Sequence, residues 1–197
     1  MQPRSEKTRA AIMAASAALF SQAGYEAASV AQICEQAGVS KGAFYHHFPS
    51  KQDLFLAILE DWLEGLDRRL ENARAADESV PQSLLRMAGT ISEVFRVASG
   101  QLPMFMEFMV RASRDRAVWN AAIAPYRRYQ RRFAGLISTG QREGSIRADV
   151  DPQTAAWALI SLAVGILLQG VVDPAAADWQ TVTLNTVEMI INSMKQE

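Results

Sequence analysis

The sequence has one cysteine and two histidines among 197 residues. Cys34 has no partner for an internal disulfide, so the chain must hold together by packing, and a reducing compartment suits it. His46 and His47 are adjacent. Neighbouring side chains on a helix point about 100° apart, whereas joint ligation wants a spacing of three or four, so no metal and no cofactor is expected. Also missing are HExxH, a P-loop, a GxGxxG after a strand and a cysteine–histidine pair with supporting context, which argues against an enzyme. No run alternates apolar and polar residues between turn signals, which argues against sheets. The N-terminal MQPRSEKTRA has a positive start but no apolar segment behind it. No secretory signal is therefore expected, and the protein is read as cytoplasmic.

What is present is an ordinary globular composition, 49% hydrophobic and 21% charged, with a formal net charge of -1. At this length a well-buried core is within reach without staples. The small net charge hides segregation. Residues 1–51 carry five Lys/Arg against three Asp/Glu, residues 52–110 five against ten, residues 111–147 nine against two, and residues 148–197 one against six. A basic middle between acidic flanks points to charge pairing on solvated faces.

Apolar residues recur at helical spacing almost throughout, so the fold class is all-α. A first helix is expected over about residues 4–23, with Ile12, Leu19 and Phe20 on one face and Gly24 as its stop. Ser29 followed by Gln32 is a capping box for a short second helix that Gly38 ends, and Ser40 caps a third. Ser50 with Asp53 opens a long fourth helix, whose Leu54, Phe55, Ile58, Leu59, Trp62, Leu63, Leu66 and Leu70 form a wide apolar stripe. Breaks at 77–81, 99–103, 144–152 and 173–174 punctuate further helical runs, and the run containing Pro125 should kink or break there.

Residues 154–172, TAAWALISLAVGILLQGVV, approach a membrane span in length and apolarity. Ser161 and Gln169 interrupt them, Asp151 and Asp173 flank them, and no Lys or Arg anchors either end. A helix buried nearly all round is the reading, with no membrane. Ser161 and Gly165, one turn apart, would let a second helix approach closely. A chain of this size can hardly surround such a helix, so a dimer interface is expected there.

Residues 38–51, GVSKGAFYHHFPSK, carry the functional signal. On a helix begun at Lys41, Phe44 and Phe48 share one face, with Gly42, Ala43 and His46 roughly opposite and Tyr45 and His47 on the flanks. The phenylalanines belong to a core with Ile33 and Val39. Cys34 reads as a structural residue packed where the two short helices cross. Outward stand a glycine and an alanine, ringed by Ser40, Lys41, Tyr45, His46 and His47. Lys51 falls in the first turn of the next helix, where it would reinforce an anion site. A helix, a glycine turn and a second helix of this character describe a helix-turn-helix that enters the major groove.

Residues 8–59 resemble the N-terminal domain of the TetR/AcrR family of bacterial transcriptional regulators, most specifically in VSKGAFYHHFPSKQDLF. The resemblance implies an N-terminal three-helix reading domain over residues 1–51, joined to an effector-binding and dimerisation domain over 52–197. It implies a homodimer on a pseudo-palindromic, double-stranded operator. Carried over by position, Ser29 would touch phosphate; Ser40, Lys41, Gly42 and Ala43 would meet base edges or backbone; Tyr45, His47 and Lys51 would hold phosphates. His46 is a further contact by its outward place. Ser29 stands where many members have Thr, and Ala31 offers no hydrogen bond where some place a base-reading side chain, so the operator sequence is not inherited. The stretch GSIRADVDPQTAAWALISLAVGILLQGVVDP is similar to one before and within the penultimate helix of many members, which with the last helix forms a four-helix dimer interface.

Control by a small-molecule effector that releases a repressor needs a cavity lined by apolar and aromatic groups. LPMFMEFM (102–109) and the aromatics on neighbouring helices supply candidates, of which Phe105, Trp119 and Tyr126 are singled out. A DNA-binding dimer without any effector is the alternative. RRYQRR (127–132) admits an anionic effector or a second nucleic-acid surface, but pairing with the acidic fourth helix (Glu60, Asp61, Glu64, Asp67) is favoured, because four arginines spread around a helix cannot face one pocket.

Overall fold

The computed structural model describes residues 3–72, 78–90 and 102–196. Among them the chain forms nine α-helices and no strand: α1 (Pro3–Ala23), α2 (Val30–Ala37), α3 (Lys41–His47), α4 (Lys51–Asn72), α5 (Val80–Gly89), α6 (Leu102–Ala112), α7 (Arg116–Arg142), α8 (Pro152–Val172) and α9 (Trp179–Met194). The fold is all-α, as the periodicity requires. Residue 77 and residues 91–101, on which two expected turns partly fall, lie outside the described residues.

The short polar signals sit where they start and stop helices. Ser29 and Gln32 close a reciprocal capping box on α2. Ser40 Oγ accepts the Ala43 amide at the start of α3. Ser50 and Asp53 exchange bonds at the start of α4. Asp151 and Asp178 cap α8 and α9, and hydrogen bonds from Thr154 and Thr181 hold their carboxyls below the usual range. Of the two outcomes expected at Pro125, a kink or a break, the break does not occur, since α7 runs through it. The interruption falls at residues 113–115, where Asp115 Oδ1 accepts the amides of Ala117 and Val118. Proline removes a single donor, and burial of Ala122, Tyr129, Ala134 and Ile137 along α7 outweighs it.

Two compact units emerge: Met1–Glu64 with Gly100–Ile123, and Gly65–Ser99 with Ala124–Glu197. Compactness thus divides the chain differently from a cut at residue 51, since the first unit takes in residues 52–64 and all of α6. In that unit α1 packs on α2, α3 and α6. Its core joins Ile12, Phe20, Tyr25, Ile33, Phe44, Phe48, Leu54, Phe55 and Phe108, all essentially buried. Each such side chain contributes about 1.5–3 kcal/mol relative to exposure.

In the second unit α9 packs on α5 and α8. An isolated bridge pairs Ile146 with Lys195, and the Arg147 amide donates to Met194 O at 3.0 Å. Arg132 meets Asp67 at 2.8 Å and Glu71 at 3.5 Å, and Arg128 approaches Asp67 at 3.8 Å. Two of the four arginines in 127–132 therefore pair with α4, while Arg127 and Arg131 are exposed. Burial, assisted by the nearby Asp67 carboxylate, pushes the Tyr129 phenol up.

Helix α8 has a mean hydropathy of 2.1 in its apolar window, long enough to cross a membrane, yet its own chain buries only 33% of that window. Trp157, Val164, Leu168 and Val172 are 44–76% exposed and fall on one stripe with exposed Ser161 and half-buried Gly165. The expected burial all round is not supplied within one chain.

Candidate nucleic-acid interface

Helices α2 and α3 are joined by a turn that only a flexible residue makes without strain. Gly38 has φ +64°, its amide donates to Glu35 O at 3.2 Å, and the Val39 amide reaches Cys34 O at 3.0 Å. These are the two bonds of a Schellman cap, whose left-handed residue favours glycine. With the turn fixed, α3 sets Phe44 and Phe48 inward, their rings 6.1 Å apart, above buried Ile33 and Cys34. Val39 is half-buried beside them.

The outward set is laid out as the spacing demands. Lys41, Gly42, Tyr45 and His46 are exposed, and Ala43 and His47 are partly so. Tyr45 is 53% exposed, and its ring lies near-perpendicular to that of Phe44 with centroids 5.2 Å apart. The His46 and His47 rings lie 5.2 Å apart at a steep angle, pointing different ways. No acidic side chain occurs between Gly38 and Lys51. The result is a ridge of hydrogen-bonding groups with the Lys41 cation, around a first turn small enough for close backbone approach. Such groups are those that a polyanionic duplex would meet.

Two residues expected at that surface make bonds within the chain. Ser29 donates its hydroxyl to Gln32 Oε1 at 2.7 Å and accepts the Gln32 amide at 3.3 Å, so it is held as a cap. Lys51 is turned inward, which corrects the outward placement read from its position. Its Nζ donates to the carbonyls of Tyr25 (2.8 Å), Ala28 (2.9 Å) and Glu26 (3.3 Å) and lies 4.5 Å from the centre of the Tyr25 ring. Burial lowers its ammonium pKa, opposed by the charge of Glu26. All three donors of the ammonium are thereby used within the chain.

Spacing along a single helix could not reveal the residues that brace this ridge. Arg9 of α1 places its guanidinium 5.3 Å from the Phe48 ring. Glu107 of α6 accepts the amides of Tyr25 and Glu26, and Arg111 pairs with Glu26. Their one signal in the sequence is a lone carboxylate within the apolar run LPMFMEFM.

The three pocket candidates divide between the two units. Phe105 and Trp119 pack against the core of the first unit. Tyr126 belongs to the second, its ring 5.7 Å from that of Trp157, and burial raises its phenol pKa.

An all-helical chain with this ridge on the second member of a short helix pair is a helix-turn-helix regulator by class. Residues 12–58 match the family described as "Bacterial regulatory proteins, tetR family", and residues 82–191 match "BetI-type transcriptional repressor, C-terminal". The chain is 28% identical to the HTH-type transcriptional regulator UidR of Escherichia coli strain K12, over 85% of this chain and 83% of that one. Its fold superposes on the SmeT–triclosan complex (TM-score 0.78, 23% identity, 96% of this chain and 92% of the other). It superposes equally on a transcriptional regulator of Saccharomonospora viridis in complex with choline (TM-score 0.78, 19% identity, 98% and 100%). The chain belongs to the TetR family of bacterial transcriptional regulators, a family of DNA-binding proteins and not of enzymes.

Proposed function

We propose that this protein is a cytoplasmic homodimeric repressor whose paired α3 helices read a pseudo-palindromic operator, and that a small molecule bound in residues 52–197 releases it. The observation that carries the reading is the outward set on α3. Ser40, Lys41, Gly42 and Ala43 surround the first turn, where a helix in the major groove meets base edges, and Tyr45, His46 and His47 lie within reach of the flanking phosphates. Ser29 and Lys51 support this surface from behind, the first as a cap and the second as a tie.

Dimerisation is supported by the stripe that α8 leaves uncovered, Trp157, Ser161, Val164, Gly165, Leu168 and Val172. A second copy of the same helix is the self-complementary occupant for such a stripe. Control by a ligand is supported by kinship in fold with proteins solved with triclosan and with choline. Among the candidate contacts Tyr126 is the strongest, since Phe105 and Trp119 already serve the core of the first unit.

The test is enrichment of duplexes from a randomised pool, with sedimentation of the protein alone. A dimer that enriches an inverted repeat, its half-sites about 34 Å apart or a multiple of that, is the expected result. A protein that enriches no duplex refutes the DNA reading. Loss of that binding on addition of a small molecule, sought in a library of apolar and cationic compounds, would separate the effector-controlled form from a regulator without an effector.

A further inference from the structure

Residues 24–28, GYEAA, link α1 to α2 and are held from two sides by opposite charges. The Gly24 amide ends α1 on Phe20 O at 2.9 Å. Beyond it, the amides of Tyr25 and Glu26 each donate to a different oxygen of the Glu107 carboxylate, both at 2.8 Å. The carbonyls of Tyr25, Glu26 and Ala28 accept from Lys51 Nζ. One helix, α6, thus binds the donors of this turn, and another, α4, binds its acceptors. The next residue is Ser29, the cap of α2.

Sequence and packing are arranged around this grip. Gly24 has φ +87°, and a Cβ there would lie 2.8 Å from Glu107 Oε2, so glycine provides both the backbone conformation and the room for the carboxylate. On α6, Met104 and Phe108 are buried while Glu107 and Arg111, one helical turn apart, both address the linker; Arg111 pairs with Glu26. The Phe108 ring stacks on Phe55 with centroids 3.9 Å apart and meets the Tyr25 ring edge-on at 5.3 Å. Bonds to an ionised acceptor are about twice as strong as neutral ones. The two Glu107 bonds join segments 82 and 81 residues apart in sequence.

We propose that Glu107 is a positioning residue for DNA recognition: by holding the Tyr25 and Glu26 amides it fixes the turn that launches α2 and, through α2, the placement of α3. This rests on the reading of α3 as the DNA-contacting helix. Helix α2 packs on both α1 and α3. A linker freed from the carboxylate lets α2 shift at its capped end, and α3 shifts with it.

The experiment compares Glu107→Gln and Glu107→Ala with the wild type. Glutamate, glutamine and alanine all favour helix, so α6 is preserved, while the oxygen acceptors at this position fall from two to one to none. Affinity is measured on a duplex enriched by the wild type from a randomised pool. It should fall in that same order, reaching on the order of 10-fold for alanine, a typical coupling. The salt dependence should not change, because no phosphate contact is removed. Hydrogen exchange at the Tyr25 and Glu26 amides should quicken in step. Leu84→Ala in the second unit serves as control for stability alone and should leave affinity unchanged at an equal loss of Tm.

The inference is overturned if Glu107→Ala binds the duplex as the wild type does, or if Leu84→Ala at matched Tm weakens binding equally. Unchanged protection of the two amides in Glu107→Ala overturns it as well. A wild type that enriches no duplex removes the DNA reading itself, and this inference falls with it.

Discussion

Lys51 and Tyr25 are joined twice: the lysine Nζ lies 2.8 Å from the Tyr25 carbonyl oxygen and 4.5 Å from the centre of its ring. A cation in the first turn of a helix is unfavourable toward that helix's own dipole. Here the three carbonyls of the α1–α2 linker offset the penalty, and the aromatic face adds a cation–π contact.

Lys51→Met should accordingly destabilise the first unit by about 1–3 kcal/mol, since it leaves partly buried carbonyls without their donor. Thermal unfolding reads the loss. The salt slope of operator binding should stay as it is. A slope reduced by about one unit per subunit, with Tm unchanged, would return Lys51 to the phosphate backbone.

The exposed groups of α3 should behave in the opposite way. Lys41→Ala should lower the salt slope by about one unit per subunit, and Tyr45→Phe should weaken binding with no change in slope, because a neutral hydroxyl displaces no counterion. Neither change should move Tm appreciably, as neither side chain is buried. Fluorescence anisotropy across a salt series measures both. Wild-type affinity in both variants would dismiss α3 as the reading helix.

Gly165→Arg should give a folded monomer. A Cβ built at Gly165 meets nothing within 4 Å in its own chain, so the protomer accommodates a larger side chain, whereas a facing copy of α8 would have to bury an unpaired charge. Sedimentation velocity and far-ultraviolet circular dichroism together decide. A variant that remains an ordinary dimer places the interface elsewhere. With the dimer lost, operator affinity should collapse, because each half-site alone binds weakly.

Alkaline stability should be limited by Tyr25. Burial pushes its phenol up to about 12, with Arg111 opposing, so the folded chain holds the proton more tightly than the unfolded one. A value raised by folding contributes stability that is complete below the unfolded value of about 10 and is withdrawn as pH rises toward about 12. Tyr129, shifted in the same direction, acts likewise in the second unit. Denaturant titrations across this pH window should show falling stability, shallower in Tyr25→Phe. An identical pH dependence in that variant would show that another group is responsible.

Local chemistry along the chain was enough for much of this fold. The caps at Ser29, Ser40 and Ser50 act on residues within three positions, and the inward pair Phe44 and Phe48 is four apart, so each could be read from spacing alone. Of the kink or break expected at Pro125 the break does not occur, because proline's penalty is a local quantity and the burial that outweighs it along α7 is not. For Phe105 and Trp119 spacing leaves both roles open, because an aromatic helical face looks alike whether it lines a cavity or fills a core.

The sequence by itself determined an all-helical chain, the glycine-hinged pair α2 and α3, and the donors on the outer face of α3, since all of these follow from periodicity and from bonds between near neighbours. Only the tertiary structure decided what Lys51 and Glu107 do. A lysine at a helix start and a glutamate in an apolar run have long, rotatable side chains, and their partners lie 23 to 26 and 81 to 82 residues away. Which carbonyls and amides stand within 3 Å or so of those charges depends on how α1, α4 and α6 pack, and spacing along one helix carries no record of that.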